Sequence, residues 1–166
     1  DAFKLEPLLA TLTTPDYTVT AHGFGTVRAV RQNLNAADDQ MALSGSKSDD
    51  TLIGNPEEVT LGSDQLGYSN TAVGFPVVRA YSSGEGHDVA RFSDVTGPTD
   101  SRTESDTFTA NPMVAQLAGP GYHLWARLFD EVYAEAKSGR DVANLTGNSN
   151  PDQLLATAEE VSLSGT

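Results

Sequence analysis

The chain has 166 residues, of which 23 are acidic and 10 are basic, so its net charge is −13, and it contains no cysteine. This charge argues against a nucleic-acid partner, because the phosphate backbone would be repelled, and the lack of cysteine excludes a disulfide framework. No apolar run approaches the roughly 20 residues that a membrane-spanning helix needs. We therefore expect neither nucleic-acid binding nor membrane insertion.

The sequence repeats itself with a period of about 50 residues. Segments that begin with Asp and close with Leu align at 1–12, 50–61, 106–117 and 152–163. A second block aligns at 17–29, 68–80 and 122–134, and a third block aligns at 39–43, 88–92 and 141–145. The chain is therefore predicted to be a single repeat domain, with units at 1–49, 50–105 and 106–151 and a partial unit at 152–166.

Each unit contains several short stretches in which apolar and polar residues alternate. Gly, Pro, Asn, Asp or Ser separates these stretches, which is the pattern of short strands joined by tight turns. Residues 128–139 are rich in helix formers, but they align with strand-like segments of the other units and are also predicted as a strand. The predicted fold class is therefore all-β.

The recurrence of small residues at one inward position favours a parallel β-solenoid. Ala21, Ala72 and Ala126 share this position and would stack in a narrow interior. The solenoid is predicted to be right-handed, as parallel crossovers nearly always are. A β-propeller and a β-sandwich are the alternatives, although three units and a fraction cannot close a propeller ring.

The runs GHDVARFSD (86–94), SDTFTANPMVAQLAGPGY (105–122) and NTAVGFPVVRA (70–80) carry a family resemblance. They resemble repeats of very large secreted bacterial proteins, notably from planctomycetes, and the similarity covers nearly the whole chain. The resemblance implies an extracellular or cell-surface location in a bacterium and a repetitive role without known catalysis. GEGHDVA (84–90) is more weakly similar to the calcium-binding repeats of secreted toxins, but the equivalent turns at 35–41 and 137–143 lack its paired glycines.

Aspartates recur immediately before the predicted strands in two series. We expect each carboxylate to accept hydrogen bonds from backbone N–H groups of its own corner. Calcium is the alternative, since it binds several carboxylate and carbonyl oxygens and would offset the repulsion between stacked charges. The candidate metal ligands, which are also the candidate corner caps, are Asp38, Asp39, Asp49, Asp50, Asp88, Asp106 and Asp141.

No residue is predicted to be catalytic. His87 and Asp88 are adjacent on a strand and should point to opposite faces, so they cannot easily cooperate. A polysaccharide-cleaving enzyme would need a cleft that gathers Arg79, Arg91 and several carboxylates. Trp125 is expected to face outward, and with Tyr122 it forms the candidate ligand-binding pair for a sugar or a protein.

These features predict a non-catalytic structural segment of a secreted repeat protein, such as a fibre, a stalk, an adhesin or a surface-layer component. Calcium is the only candidate cofactor. The predicted partners are further copies of the same repeat joined end to end, and cell-surface polysaccharide or protein. The alternative function is that of a polysaccharide-binding or polysaccharide-cleaving β-helix.

Overall fold

A computed structural model describes residues 1–32, 39–94, 105–137 and 139–148, together with the backbone of 152–156 and 161–165. All regular structure in these residues is strand, so the chain is all-β, as predicted. Accordingly, the described residues include no helix with the length and apolar character needed to cross a membrane.

Each of the three complete units contributes five strands. The first unit holds β1 (Ala2–Glu6), β2 (Leu9–Thr13), β3 (Thr18–His22), β4 (Thr26–Val30) and β5 (Gln40–Ser44). The second holds β6 (Thr51–Gly54), β7 (Glu58–Ser63), β8 (Tyr68–Val73), β9 (Val77–Tyr81) and β10 (Val89–Ser93). The third holds β11 (Thr107–Asn111), β12 (Val114–Gly119), β13 (Tyr122–Arg127), β14 (Glu131–Glu135) and β15 (Val142–Leu145). The partial unit adds β16 (Asp152–Ala156) and β17 (Val161–Gly165).

The first three strands of each unit form an antiparallel meander. In two of the units an asparagine fixes the first turn: the side-chain oxygen of Asn55 accepts the N–H groups of Glu57 and Glu58, at 2.9 Å each. Asn111 accepts those of Met113 and Val114 in the same way. Because the asparagine side chain satisfies the donors of the turn, the chain reverses within two or three residues and the neighbouring strands must be antiparallel.

The chain then leaves its meander and crosses to the opposite sheet. A residue in the left-handed region marks this corner in every unit: Gly23 with φ of 77°, Gly74 with φ of 72° and Leu128 with φ of 64°. The N–H of each corner residue donates to a carbonyl of the turn before the second strand, at 2.8 to 3.0 Å. Glycine reaches this conformation without strain, whereas a leucine there carries a cost of about 1 kcal/mol or more.

The fourth strand of each unit joins the sheet of its neighbours. β4 pairs in parallel with β8, and β9 pairs in parallel with β13, so the fourth strands of the first two units lie beside the third strand of the following unit. The fifth strand returns to pair in parallel with the first strand of its own unit. It also pairs with the fourth strand of the following unit, as β5 does with β9 and β10 with β14.

Successive meanders therefore alternate between two sheets. The larger sheet has the order β15-β11-β12-β13-β9-β5-β1-β2-β3, and the smaller has the order β14-β10-β6-β7-β8-β4. β16 and β17 form a two-stranded sheet of their own. One apolar core takes Leu5, Leu43 and Leu124 from the larger sheet, and Leu52 and Phe92 from the smaller. The inner faces of both sheets thus contribute to a single core.

The structure does not confirm the predicted parallel β-solenoid, because both large sheets are mixed and the first three strands of each unit are antiparallel. The β-sandwich alternative is compatible with it. Nor do Ala21, Ala72 and Ala126 stack on each other: the register pairs Ala29 with Ala72 and Ala80 with Ala126. Since successive meanders lie in different sheets, equivalent positions of neighbouring units cannot be strand neighbours.

Candidate functional site

In each unit, two aspartates lie side by side where the parallel first and fifth strands begin, and they are joined by hydrogen bonds. The nitrogen of the first aspartate donates to the carboxylate of the second, from Asp1 to Asp39 at 3.0 Å, from Asp50 to Asp88 at 2.8 Å and from Asp106 to Asp141 at 3.0 Å. The N–H that follows the second aspartate donates back to the carbonyl of the first, at 2.9 to 3.2 Å. We call this pair of hydrogen bonds the aspartate clasp.

The aspartate clasp joins residues 38, 38 and 35 positions apart. The sequence predicted that each carboxylate would cap its own corner. Asp50 does so by accepting the N–H of Ser46, but the second aspartate of each clasp caps the first strand of the unit. The reason is the parallel pairing of first and fifth strands, which brings two aspartates side by side where both strands begin. A carboxylate at this place satisfies an N–H that the strand ladder leaves without a partner.

The clasp of the second unit is buried and fully hydrogen-bonded. The carboxylate of Asp50 accepts the N–H of Ser46 at 2.5 Å, the hydroxyl of Ser46 at 2.9 Å and the hydroxyl of Tyr68 at 2.8 Å. Asp88 accepts the hydroxyl of Ser82 in addition to the N–H of Asp50. Burial and the hydrogen bond to Asp50 raise the pKa of Tyr68, which therefore stays a proton donor.

The clasps of the first two units hold their carboxylates in different electrostatic surroundings. Burial alone would raise the pKa of Asp39, but the hydrogen bonds from the nitrogen of Asp1 and from the guanidinium of Arg31, at 3.0 and 3.1 Å, lower it overall. Burial raises the pKa of Asp88, and the charges of Asp50 and Asp130 raise it further against the opposing effect of its hydrogen bonds. The pKa of Asp88 is therefore raised overall, whereas that of Asp39 is lowered.

An additional carboxylate changes the clasp of the third unit. Asp94, Asp106 and Asp141 each offer a carboxylate oxygen, and these oxygens all lie within 4.8 Å of one another. Asp94 occupies the register position of Gly45, since Ser93 pairs with Glu135 as Ser44 pairs with Tyr81. A side chain built at Gly45 would meet the carboxylate of Asp50. Since Asp106 is the equivalent of Asp50 in the next unit, the side chain of Asp94 faces Asp106.

This acidic group is the one place among the described residues where three carboxylates could hold a divalent cation together. Oxygen ligands of this kind suit calcium. Of the candidate ligands taken from the sequence, it brings together Asp106 and Asp141. It also includes Asp94, which sequence reasoning missed because the residue lies within the polar insertion 93–105. Aligning it with Gly45 would have given the signal.

The other candidate ligands do not form a shared site. Asp38 lies outside the described residues. Asp49 is exposed and accepts the N–H of His87 at 2.8 Å, whereas its neighbour Asp50 is buried. Asp39, Asp50 and Asp88 serve their own clasps as hydrogen-bond acceptors. The calcium-binding hypothesis therefore remains a prediction, and within the described chain it concerns the third unit.

His87 and Asp88 point in opposite directions. His87 is exposed and its Nε2 lies 3.1 Å from a carboxylate oxygen of Glu131, while Asp88 is buried in the clasp. His123 lies on a different strand, where its Nε2 is 3.0 Å from the side-chain oxygen of Gln116. Burial, followed by the charge of Arg79, lowers the pKa of His123.

Trp125 and Tyr122 lie on opposite faces of β13. Leu124 and Ala126 are buried in the core, so Trp125 between them faces outward, where the guanidinium of Arg79 lies 5.8 Å from its ring centroid. Tyr122 packs against the core, and burial and the charge of Asp106 raise its pKa. The two side chains therefore cannot contact one ligand together.

A shallow groove lies beside Trp125 on the outer face of the larger sheet. Its lining includes Arg79, Tyr81, Val114 and Arg127. Arg91 belongs to β10 of the other large sheet, where its guanidinium lies 4.4 Å from the ring centroid of Tyr133. Since Arg79 and Arg91 lie on different sheets and both alternate with buried residues, they do not line one cleft.

No protein-family model, curated protein or solved structure matches this chain.

Removing the buried carboxylate of Asp88 should destabilise the fold strongly. Asp88→Ala leaves the N–H of Asp50 and the hydroxyl of Ser82 without their acceptor, so we expect a loss of about 2–4 kcal/mol in the free energy of unfolding, measured by urea titration. Asp88→Asn keeps an acceptor of the same shape and should lose less. Asp49→Ala, at the exposed neighbouring position, is the matched control and should cost under about 1 kcal/mol. Equal losses for Asp88→Ala and Asp49→Ala would contradict a structural role for the clasp.

The wild-type chain and the Asp88→Asn variant should differ in how their stability depends on pH. Because the folded chain raises the pKa of Asp88 above its ordinary value of 3.8, folding favours the protonated carboxyl. This contribution is fully present below the ordinary pKa and is lost as pH rises through the raised value. The stability of the wild-type chain relative to Asp88→Asn should therefore fall between acid and neutral pH. A relative stability that rises over this range would contradict the assignment.

The carboxylates of Asp94, Asp106 and Asp141 should repel one another when no cation is present. In a buffer with EDTA, Asp94→Asn is expected to raise the free energy of unfolding by roughly 1 kcal/mol, which corresponds to about 2–4 °C in Tm for a chain of this size. An unchanged or lower Tm in EDTA would show that the group is not repulsive. With millimolar calcium, a lower Tm for the variant than for the wild type would identify the group as a cation site.

Proposed function

We propose that this chain is a non-catalytic structural segment of a secreted bacterial repeat protein, of the kind that forms fibres, stalks, adhesins or surface layers. Its role is to hold a defined length and shape between other parts of an extracellular assembly. The resemblance of its repeat to those of large secreted bacterial proteins supports the cellular setting.

The observation that carries this proposal is the position of β9. This fourth strand of the second unit lies between β5 of the first unit and β13 of the third, and pairs in parallel with both. The three units therefore share one continuous sheet, because β9 of the second unit pairs with a strand of the first unit on one side and a strand of the third on the other. An array that is interlocked in this way resists separation of its units, because pulling them apart breaks two strand pairs at once.

The placement of polar side chains also supports a structural role. Polysaccharide cleavage would need a cleft with clustered carboxylates and a basic residue, yet Arg79 and Arg91 lie on different sheets. The carboxylates of the buried aspartates accept hydrogen bonds from backbone N–H groups and hydroxyls, and these bonds link the first and fifth strands of the unit. The net charge of −13 suits an extended array, since it keeps the surface soluble and discourages lateral aggregation.

Unfolding of the third unit should respond to a substitution in the first. Leu43 of β5 is completely buried, and Leu43→Ala is expected to cost about 2–5 kcal/mol. Trp125, the only tryptophan, reports on the third unit. If the units unfold cooperatively, Leu43→Ala should lower the urea midpoints measured by tryptophan fluorescence and by far-UV circular dichroism to the same value.

Two further variants serve as controls for this experiment. Leu124→Ala removes a buried side chain next to Trp125 and should shift both signals whether or not the units are coupled. Leu66→Ala changes an exposed side chain of the second unit and should shift neither. A fluorescence midpoint that stays unchanged in Leu43→Ala would show that the units unfold separately and would contradict the proposed role.

A further inference from the structure

The outer face of the larger sheet carries a net positive charge, although the whole chain carries −13. The structure describes all nine strands of this sheet, and their outward positions hold three cations and one carboxylate: Lys4, Arg79, Arg127 and Glu6. The carboxylate of Glu6 lies 2.8 Å from Nζ of Lys4, so this pair is neutral. The positive charge of the face therefore comes from Arg79 and Arg127.

Among the described residues, no carboxylate forms an ion pair with either of these arginines. Other lysine and arginine side chains do form such pairs, namely Lys4, Arg28, Arg31, Lys47 and Lys137. Arg79 instead donates to the side-chain oxygen of Gln40 at 2.6 Å. Because their charge is not compensated by a neighbouring carboxylate, the two guanidinium groups can pair with an anionic ligand.

The two arginines alternate with two aromatic rings around the shallow groove beside Trp125. In the parallel pairing of β9 with β13, Arg79 lies opposite Trp125 and Tyr81 lies opposite Arg127. Each arginine therefore has one aromatic side chain on the neighbouring strand and another two residues along its own strand. Since paired strands are about 4.8 Å apart and two residues span about 6.6 Å, the backbones of the two arginines are roughly 8 Å apart.

The indole of Trp125 is held on one side and borders the groove on the other. His123 precedes it on the same face of β13, and the two ring centroids are 4.8 Å apart. Nε2 of His123 lies 3.0 Å from the side-chain oxygen of Gln116, which orients the imidazole. Arg127 follows Trp125 on that face and lines the groove with it. An indole that is already held in one orientation loses little conformational freedom when a ligand packs against it.

The exposure of this groove does not depend on the edges of the sheet. β9 pairs with β5 and β13, and β13 pairs with β9 and β12, so both strands have a partner along each edge. Strands added to this sheet would join β3 or β15, which are its outermost strands. Such strands would lie beside the outer face and not over it.

We propose that the groove binds a polyuronate, a polysaccharide whose sugar rings carry carboxylates. The indole of Trp125 packs against one sugar ring, and Arg79 and Arg127 pair with carboxylates of the polymer. The inference goes beyond the proposed structural function, because it adds a binding site and states the chemistry of the partner.

The shape of the groove and its side chains favour a sugar polymer over other anions. A shallow groove cannot enclose a small anion, whereas a polymer pairs with both arginines at once. A pyranose ring offers a face of C–H groups to the indole, and its carboxylate can accept two parallel hydrogen bonds from one guanidinium. An acidic peptide has the carboxylates but no rigid ring, so it would use the arginines without the indole.

The net charge of the chain does not exclude an anionic ligand at this face. At physiological ionic strength the Debye length is about 8 Å, so carboxylates on more distant surfaces are largely screened. The two arginines contact the ligand directly and are screened much less. The local charge of the groove therefore decides the sign of the interaction.

Isothermal titration calorimetry with hexamers of galacturonate and of mannuronate tests this proposal. The buffer has physiological ionic strength and contains EDTA, so that calcium cannot bridge the sugar acids to the carboxylates of the chain. At least one hexamer should bind and should change the fluorescence of Trp125, the only tryptophan. Arg79→Gln and Arg127→Gln should each weaken binding by about three- to tenfold, and Trp125→Ala by about fivefold.

Arg91→Gln is the matched control variant. Its guanidinium also lies beside an aromatic ring, 4.4 Å from the centroid of Tyr133, but on the outer face of the smaller sheet. This variant should bind the hexamer as the wild type does. The Tm of every variant is measured by circular dichroism, so that a loss of binding is not confused with unfolding.

Two further ligands separate the contributions of charge and sugar ring. The methyl ester of the bound hexamer keeps the rings and removes the charge, and it should bind more weakly than the acid. A hexaglutamate peptide keeps the charge and removes the rings. It should also bind more weakly, and Trp125→Ala should leave its affinity unchanged.

Binding of neither uronate hexamer would overturn the proposal, as would equal losses of affinity in Arg91→Gln and Arg79→Gln. Tighter binding of hexaglutamate than of both uronate hexamers would overturn it as well, because the face would then recognise acidic protein segments. If binding fails while Leu43→Ala still shifts the Trp125 signal, the polyuronate site is rejected and the proposed structural function stands.

Discussion

The parallel pairing of each fourth strand with a neighbouring unit is the interaction on which the rest of the structure depends. A three-stranded meander alone has two unpaired edges and one apolar face that needs a second layer to bury it. The fourth strand leaves the meander at a left-handed corner and supplies an edge to the opposite sheet. The meanders of the second and third units thereby gain a neighbour from the preceding unit along their third strand, while their first strand pairs with the fifth strand of their own unit.

The aspartate clasp determines the register in which the fifth strand pairs with the first strand of its unit. Once the fourth strand has crossed to the opposite sheet, the fifth must return to the first strand of its own unit in one register. Two hydrogen bonds fix that register: the N–H of Asp50 donates to the carboxylate of Asp88, and the N–H of Val89 donates to the carbonyl of Asp50. A shift by one residue would turn the buried side chains of the fifth strand outward and would leave the Asp88 carboxylate buried without its donors. The hydrogen bonds of the buried carboxylate form in only one register of the first and fifth strands, and they offset the cost of its burial.

The sequence predicts the strands and their faces well. Alternation identifies all five strands of each unit, and it gives the outward position of Trp125. The alignment of units also singles out the aspartates that form the clasps. The segment 128–139 shows how repeats help, since its composition favours a helix but its alignment predicts the strand β14 that the structure contains.

The strand partners could not be predicted in the same way. Alternation tells which residues of a strand are buried, but it does not tell which strand lies beside it. Phe24 and Phe75 occupy the same repeat position, yet one is exposed and the other buried, because burial depends on whether a preceding unit covers the strand. The clustering of Asp94 with Asp106 was missed for a related reason: it depends on the register of β10 with β14, across 42 residues of sequence between Ser93 and Glu135.

Hydrogen exchange of the amides in β9 tests the exchange of strands between units most directly. If β9 is held by both neighbouring units, its amides should exchange only through global unfolding, with the same free energy of opening as those of β13. The edge strands β4 and β14 should open at a lower free energy. Exchange of the β9 amides at a clearly lower free energy than that of β13 would show that the fourth strand opens by itself, and would contradict the interlocked architecture.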